Sequence, residues 1–331
     1  MRVLLRLDAD GTVGFGHAVR CSALIQAFPE DIDLVVAGDD PEAIRSVFPN
    51  ARYCSVKAEG FDTILAAEAA GVVIIDLPYT EPDLWALAHS SGAIVVAVAD
   101  EGGAISADFV IKGAGPESVH HYPALGPNDR ALTGPAYALL RSAFAKTRWA
   151  QPNDRSLSIV VGSGARARDW ALDLARNGLK SLNLSKSKML VVGFFSAFSE
   201  LETLCNDSGI QLFQALGPED LAHFLAGSQV ALITGGMVMP ETLAVGTPAV
   251  VFPQVENLIP ETRWFSDRNA IIDLGFDGGF ELENVLSAVE SLVSDPEAAL
   301  AQSRRGRALV DGLGANRCAE TVLAAIGVGA K

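Results

Sequence analysis

The segment Asp8-Ala-Asp10-Gly-Thr-Val-Gly14-Phe-Gly16-His17-Ala-Val-Arg20-Cys21 gathers side chains that can move protons. It follows a short apolar run, Val3–Leu7, and leads into a helical pattern. Gly14 and Gly16 permit a tight turn, which leaves His17 at a helix N-terminus. The helix dipole there favours a neutral ring able to accept a proton. Asp8 or Asp10 can orient that ring. The plainer account is a glycine turn with a capping histidine, and the spacing alone does not choose between them. It is not the dinucleotide fingerprint, because Val19 stands where GxGxxG needs its third glycine.

A second candidate is Ile233-Thr-Gly235-Gly236-Met237-Val-Met-Pro-Glu241-Thr-Leu-Ala-Val-Gly246-Thr-Pro. Here a strand should end at Thr234 and a helix begin near Pro240. Two glycines let backbone amides approach an anion at a helix N-terminus. Glu241 can accept hydrogen bonds from ribose hydroxyls, or simply complement the helix dipole. Asp76, Tyr79, Asp100 and Glu101 fall at the ends of predicted strands, where caps and turn residues are also common. His120-His121 reads as a surface loop, and His89 and His223 as structural residues within helices.

The elements that must carry these residues alternate along the chain. Val3–Leu7, Ile32–Ala37, Val72–Asp76, Ile94–Ala99 and Phe109–Lys112 read as buried strands, with helices near 17–28, 41–48, 61–70 and 81–90. The rhythm lapses from about 113 to 156 in a stretch rich in glycine and proline. It resumes with strands at Ser158–Val161, Met189–Gly193, Gln211–Gln214, Val230–Thr234 and Ala249–Phe252. Helices fall near 167–181, 197–207, 218–227, 240–246, 260–268, 281–294 and 296–310. The expected architecture is α/β, two doubly wound Rossmann-like domains with an interdomain cleft as the default site. The first spans 1–148 and the second 156–311, with 312–331 a C-terminal helix able to pack back across the domains.

Composition narrows the classes. The 331 residues are 49% hydrophobic with a net charge of −15, so a large core is available and the basic field of a nucleic-acid binder is missing. The one dense basic cluster, Arg304, Arg305 and Arg307, reads as a solvated helix face. The four cysteines are scattered without metal-ligand spacing, so no metal site is expected. No apolar run reaches the length of a membrane span and the N-terminus is not a signal peptide, so a cytoplasmic protein without a membrane span is expected.

Taken together, Gly14-Phe-Gly-His-Ala-Val-Arg-Cys21, Ile75-Asp76 with Tyr79, and Gly134-Pro-Ala-Tyr-Ala-Leu-Leu-Arg-Ser-Ala-Phe144 resemble the UDP-sugar hydrolases of pseudaminic acid biosynthesis. That family is related to the spore-coat polysaccharide proteins and, more distantly, to MurG-type glycosyltransferases. Gly235-Gly236, Glu241, Gly246-Thr-Pro, Asn257 and Gly312-Leu-Gly-Ala-Asn-Arg317 extend the resemblance over nearly the full chain. The resemblance implies a GT-B-like fold and metal-independent hydrolysis of UDP-2,4-diacetamido-2,4,6-trideoxy-β-L-altropyranose, a step toward flagellin glycosylation, with no cofactor. It makes His17 the base that activates water, with inversion. It implies substrate contacts at Asp10, Gly14, Gly16, Arg20, Asp76, Tyr79 and Asn257. Nucleotide contacts are implied at Gly162, Gly235, Gly236, Met237 and Glu241.

The chain departs from that family at three places, all in the nucleotide half. Met237-Val-Met239 replaces its hydroxyl residues, Asn257-Leu258 its Asn-Gln pair, and Gly162-Ser-Gly-Ala165 its GGSD turn. A glycosyltransferase using a UDP-sugar donor, and a non-catalytic divergent paralogue, are the other readings. The oligomeric state is not legible in the sequence.

Overall fold

A computed structural model of the chain describes residues 1–8, 16–77, 82–99, 105–113, 130–162, 165–179, 182–192, 197–276 and 281–327. Contacts divide it into two compact units, Met1–Arg141 with Leu313–Lys331, and Ser142–Gly312.

The first unit opens with β1 (Arg2–Leu7), α1 (Gly16–Gln26), β2 (Asp33–Gly38), α2 (Pro41–Val47), β3 (Arg52–Ser55), α3 (Val56–Glu59) and α4 (Phe61–Glu68). It continues with β4 (Val72–Asp76), α5 (Pro82–Ser90), β5 (Ile94–Val98), β6 (Phe109–Lys112) and β7 (Arg130–Thr133). The seven strands form a parallel sheet in the order β3-β2-β1-β4-β5-β6-β7. Successive residues along a strand face opposite sides, so both faces need apolar cover. Val3, Leu5, Leu7, Val36, Ile74 and Val96 pack on one face, and Leu4, Val35, Val73, Ile75 and Val95 on the other. A one-residue slip of β1 would exchange these two sets, so its register is firmly specified.

The second unit runs α6 (Ser142–Lys146), β8 (Ser156–Val161), α7 (Ala165–Asp173), β9 (Lys186–Val191), α8 (Phe198–Ser208), β10 (Ile210–Gln214) and α9 (Pro218–Ala226). Then come β11 (Val230–Ile233), α10 (Val238–Val245), β12 (Ala249–Val251), α11 (Ile259–Asp267), β13 (Ile272–Asp273), α12 (Leu282–Val293) and α13 (Pro296–Leu309). Its parallel sheet has the order β10-β9-β8-β11-β12-β13. The last helix, α14 (Gly314–Ala325), belongs to the first unit, where Ala315, Cys318, Ala319, Val322 and Leu323 join the face covered by α1.

Strands β3, β7 and β13 are absent from the sequence reading. All three are edge strands, and none is a continuous apolar run: Arg52–Ser55 and Arg130–Thr133 each bury a single residue, and β13 has two residues, both half-buried. Edge strands are covered less completely, so their composition signals them weakly.

Candidate functional site

Each sheet has one point where the chain reverses its direction of winding. In the first unit β1 connects outward to β2 on one side, and β4 to β5 on the other, so the reversal lies between β1 and β4. At such a point the carboxyl ends of two neighbouring strands splay their following segments apart and leave room for a ligand. The register sets Leu7, the last residue of β1, beside Asp76, the last residue of β4. Asp76 therefore faces the start of α1.

Helix α1 places His17, Arg20 and Cys21 at i, i+3 and i+4, hence on one face. All three bind Asp76. His17 Nδ1 lies 2.6 Å from Oδ1, Arg20 donates through Nε to Oδ2 at 2.7 Å and through Nη2 to Oδ1 at 2.5 Å, and the Cys21 thiol donates to Oδ2 at 3.1 Å. Asp76 is fully buried, while the His17 and Arg20 side chains retain 11% and 13% exposure. Burial, the largest single influence, pushes the Asp76 carboxyl up. The Arg20 charge and hydrogen bonds, with those of His17, outweigh it and hold the group at about 2.

That charge fixes the tautomer. An ionised carboxylate accepts hydrogen bonds and cannot donate them, so the 2.6 Å contact requires the hydrogen on His17 Nδ1. Arg20 Nη2 also lies 3.0 Å from Nδ1, but guanidinium is a donor only, and its hydrogen goes to Asp76. Nε2 is then the ring nitrogen with the lone pair, and an imidazolium formed by protonating it would be stabilised by the buried anion.

Asp8 is paired with Arg6, through Nη1 to Oδ1 at 2.5 Å. The carboxylate that orients the ring is thus Asp76, for which the resemblance implies only a substrate contact. Gly16 is the exposed first residue of α1. Asp10, Gly14 and Tyr79 lie outside the described residues, as do Asp100, Glu101 and His120-His121. His89 and His223 make backbone contacts, to Ser106 O and Glu219 O.

The second sheet reverses between β8 and β11. The segments after them, at Gly162 and at Gly235-Gly236, are joined by a bond from the Gly162 amide to Thr234 Oγ1 at 3.1 Å. Gly235 and Gly236 have φ of 81° and 68°, the left-handed region open to glycine. A Cβ on Gly235 would approach Leu258 Cδ1 to 3.3 Å, whereas one on Gly236 would meet nothing within 4 Å among the described residues. Met237 then caps α10, whose residues Met239–Val245 are all buried. Glu241, 3% exposed, is a carboxylate in the first turn of that helix, where the dipole offsets part of the cost of burying it. Asn257 is exposed on a 3₁₀ turn, Glu256–Leu258.

The sequence reading passed over two residues at this end of the sheet. Gln254, just past β12, has a buried Oε1 without a hydrogen-bond partner among the described residues, while its Nε2 donates to Phe252 O. Arg166, in the first turn of α7, donates to Phe276 O and lies 4.1 Å from the Phe276 ring centroid. Position relative to the strand ends is the only signal that could have found either one.

Among the described residues, no group of three or more His, Cys, Asp or Glu is placed to hold a metal ion, and no helix is long and apolar enough to cross a membrane.

No protein-family model matches the chain. It is 25% identical over 191 residues to the spore coat polysaccharide biosynthesis protein SpsG of Bacillus subtilis (strain 168), an alignment covering 56% of this chain and 56% of that protein, so the chain matches about half the length of its curated relative. Among solved structures, a Listeria monocytogenes protein assigned as a UDP-N-acetylglucosamine 2-epimerase aligns with a TM-score of 0.70 at 14% identity, covering 98% of this chain and 96% of that one. MurG from Acinetobacter baumannii aligns with a TM-score of 0.66 at 12% identity, covering 98% and 100%. The fold is thus GT-B-like, two parallel α/β sheets in series.

Proposed function

We propose that the chain hydrolyses a UDP-activated sugar to UDP and the free sugar, with the first unit supplying the base and the second holding the nucleotide. The observation that carries this reading is the ion-paired, fully buried Asp76 fixing the tautomer of His17 at the strand ends where ligands of such sheets bind. Nε2 of His17 takes a proton from water as the water oxygen forms a bond to the anomeric carbon. The bond from that carbon to the diphosphate oxygen breaks, and its electron pair leaves with UDP. Attack opposite the leaving group inverts the configuration. Asp76 stabilises the imidazolium, and the proton later passes to solvent.

UDP is a good leaving group, so the second unit has only to hold it and spread its charge. Met237, Val238 and Met239 offer no hydroxyl, and this task falls to backbone amides at Gly235-Gly236 and the N-terminus of α10. Glu241 would bind the ribose. The resemblance of the histidine segment points to UDP-2,4-diacetamido-2,4,6-trideoxy-β-L-altropyranose as the sugar nucleotide, and the likeness to a spore coat polysaccharide protein agrees with a role in polysaccharide biosynthesis.

The test is UDP release from that substrate, with the product anomer followed by NMR. Release without any acceptor, inverted product, and a roughly 10²–10⁴-fold lower kcat in His17→Ala with UDP affinity retained are expected. Release that requires an added sugar acceptor would make the same base a transferase's. UDP binding without turnover of any UDP-sugar would leave a non-catalytic paralogue, and a His17→Ala protein of full activity would remove His17 as base.

A further inference from the structure

The arginine cluster of α13 is not absorbed by this function. Arg304 and Arg307 stand three residues apart and share one helix face, and both line a pocket of about 550 Å³ within the second unit. Its other walls are Trp149, Gln151 and Ser303, with Leu300 and two alanines completing it. Three features show that the pocket is held in shape. The Trp149 indole donates from Nε1 to Ser228 O at 2.9 Å, which fixes its ring. Gln151 keeps a left-handed φ of 54° and ties its side chain to Pro296 O at 3.0 Å, at the first residue of α13. The stem of Arg307 lies against Gly246, where an added Cβ would come within 2.5 Å of Arg307 Cδ and 3.0 Å of Ser303 Oγ.

The charge of this pocket is not balanced from within. Arg304 and Arg307 are exposed and belong to none of the ion pairs of the described residues. Arg148, which does not line the pocket, brings a third guanidinium close enough to feel the charge of Arg307. Its pKa is lowered, first by burial and then by the charge of Arg307, with Asp311 opposing. Helices α10 and α13 both end here, at Val245 and Leu309, but each C-terminus carries only about half a negative charge. Three cations therefore exceed the two helix dipoles and the Asp311 carboxylate together, in a chain whose net charge is −15.

We propose that this pocket binds a small molecule carrying a phosphoryl or diphosphoryl group, at a site separate from the Gly235-Gly236 turn. Guanidinium forks match phosphate oxygens in pairs, and two forks three residues apart suit adjacent oxygens of one dianion. A volume of about 550 Å³ exceeds a bare phosphate and falls in the range of organic ligand sites. The Trp149 ring supplies an apolar wall for the organic part.

Inorganic pyrophosphate serves as the probe, titrated by calorimetry at low salt into the full chain carrying Gly236→Ala, so that binding at the glycine turn is weakened and the arginine variants report on the pocket. Saturable binding is expected, weakened at least about tenfold by Arg304→Gln with Arg307→Gln and severalfold by either alone, and changed less than about twofold by Arg305→Gln, which removes one charge, as each single variant does, from a position that does not line the pocket. Arg307→Lys should fall between, keeping the charge without the fork. Melting temperatures of the variants confirm that each is folded. Equal weakening by Arg305→Gln would reduce the effect to general electrostatics and overturn the proposal. Absence of binding in the Gly236→Ala chain would overturn it too, and would leave the hydrolase reading untouched.

Discussion

The two sheets reverse their winding in the same way, yet the two reversal points are furnished differently. In the first, the polar groups are side chains: His17, Arg20 and Cys21 from one helix converge on the buried Asp76 at the end of a strand. In the second, the loop after the strand is glycine followed by Met237-Val238-Met239, and the polar groups it offers are mainly backbone amides. The lesson is that one topology makes two kinds of site. A charged cluster must be paired to be buried, and so fixes geometry tightly. A glycine turn at a helix N-terminus binds anions without any charged side chain, and so tolerates sequence change around it.

The largest effect should come from removing the charge on which the first point depends. In Asp76→Asn the carboxamide can offer a hydrogen to Nδ1, which favours the wrong tautomer, and Arg20 loses its carboxylate. We expect kcat for UDP-sugar hydrolysis to fall roughly 10²–10⁴-fold, with the UDP dissociation constant measured by calorimetry unchanged within about twofold. A parallel loss of UDP affinity would mean that the two points do not divide the work in this way.

The same carboxylate gives the first point a pH signature. Asp76 is held at about 2 in the folded chain, against an ordinary value of 3.8, which corresponds to about 2 kcal/mol of stability. Because the folded pKa is the lower one, that stabilisation is complete above the unfolded value and is lost as pH falls through the folded one. Urea unfolding between pH 5 and pH 2 should therefore show the stability gap between wild type and Asp76→Asn narrowing toward pH 2. A gap independent of pH would show that Asp76 contributes by packing and not by charge.

How much of this could be read in the sequence follows the same division. Central strands such as Val72–Asp76 are buried on both faces, and their continuous apolar runs announce them. The edge strands Arg52–Ser55 and Arg130–Thr133 carry no such run. His17 was legible because glycines and a helix start surround it, but its partner was not. Asp76 lies 59 residues away, and only the strand register that sets it beside Leu7 brings the two together. Asp8, close in sequence, went to Arg6. At the second point the glycines were legible from their own conformational needs, whereas the Gly162–Thr234 bond and the buried oxygen of Gln254 depend on contacts between separate strand ends.

Smaller effects test whether the second point works through its backbone. Gly236→Ala adds a Cβ at φ 68° that meets no atom of the described residues within 4 Å, so its cost against them is the left-handed backbone, about 1 kcal/mol. If the open space there receives the diphosphate, UDP affinity should nevertheless drop about tenfold.

Asn257→Ala gives the sharpest contrast because little is expected from it. The residue is exposed on its 3₁₀ turn, and a side chain so placed contributes at most an ordinary solvent-competed hydrogen bond to a ligand, so UDP affinity should change by less than about threefold. A loss larger than that of Gly236→Ala would reverse the argument. The second reversal point would then rely on a specific side chain as the first does, and its divergence at Met237 and Leu258 would have to be answered by Asn257 and not by the backbone.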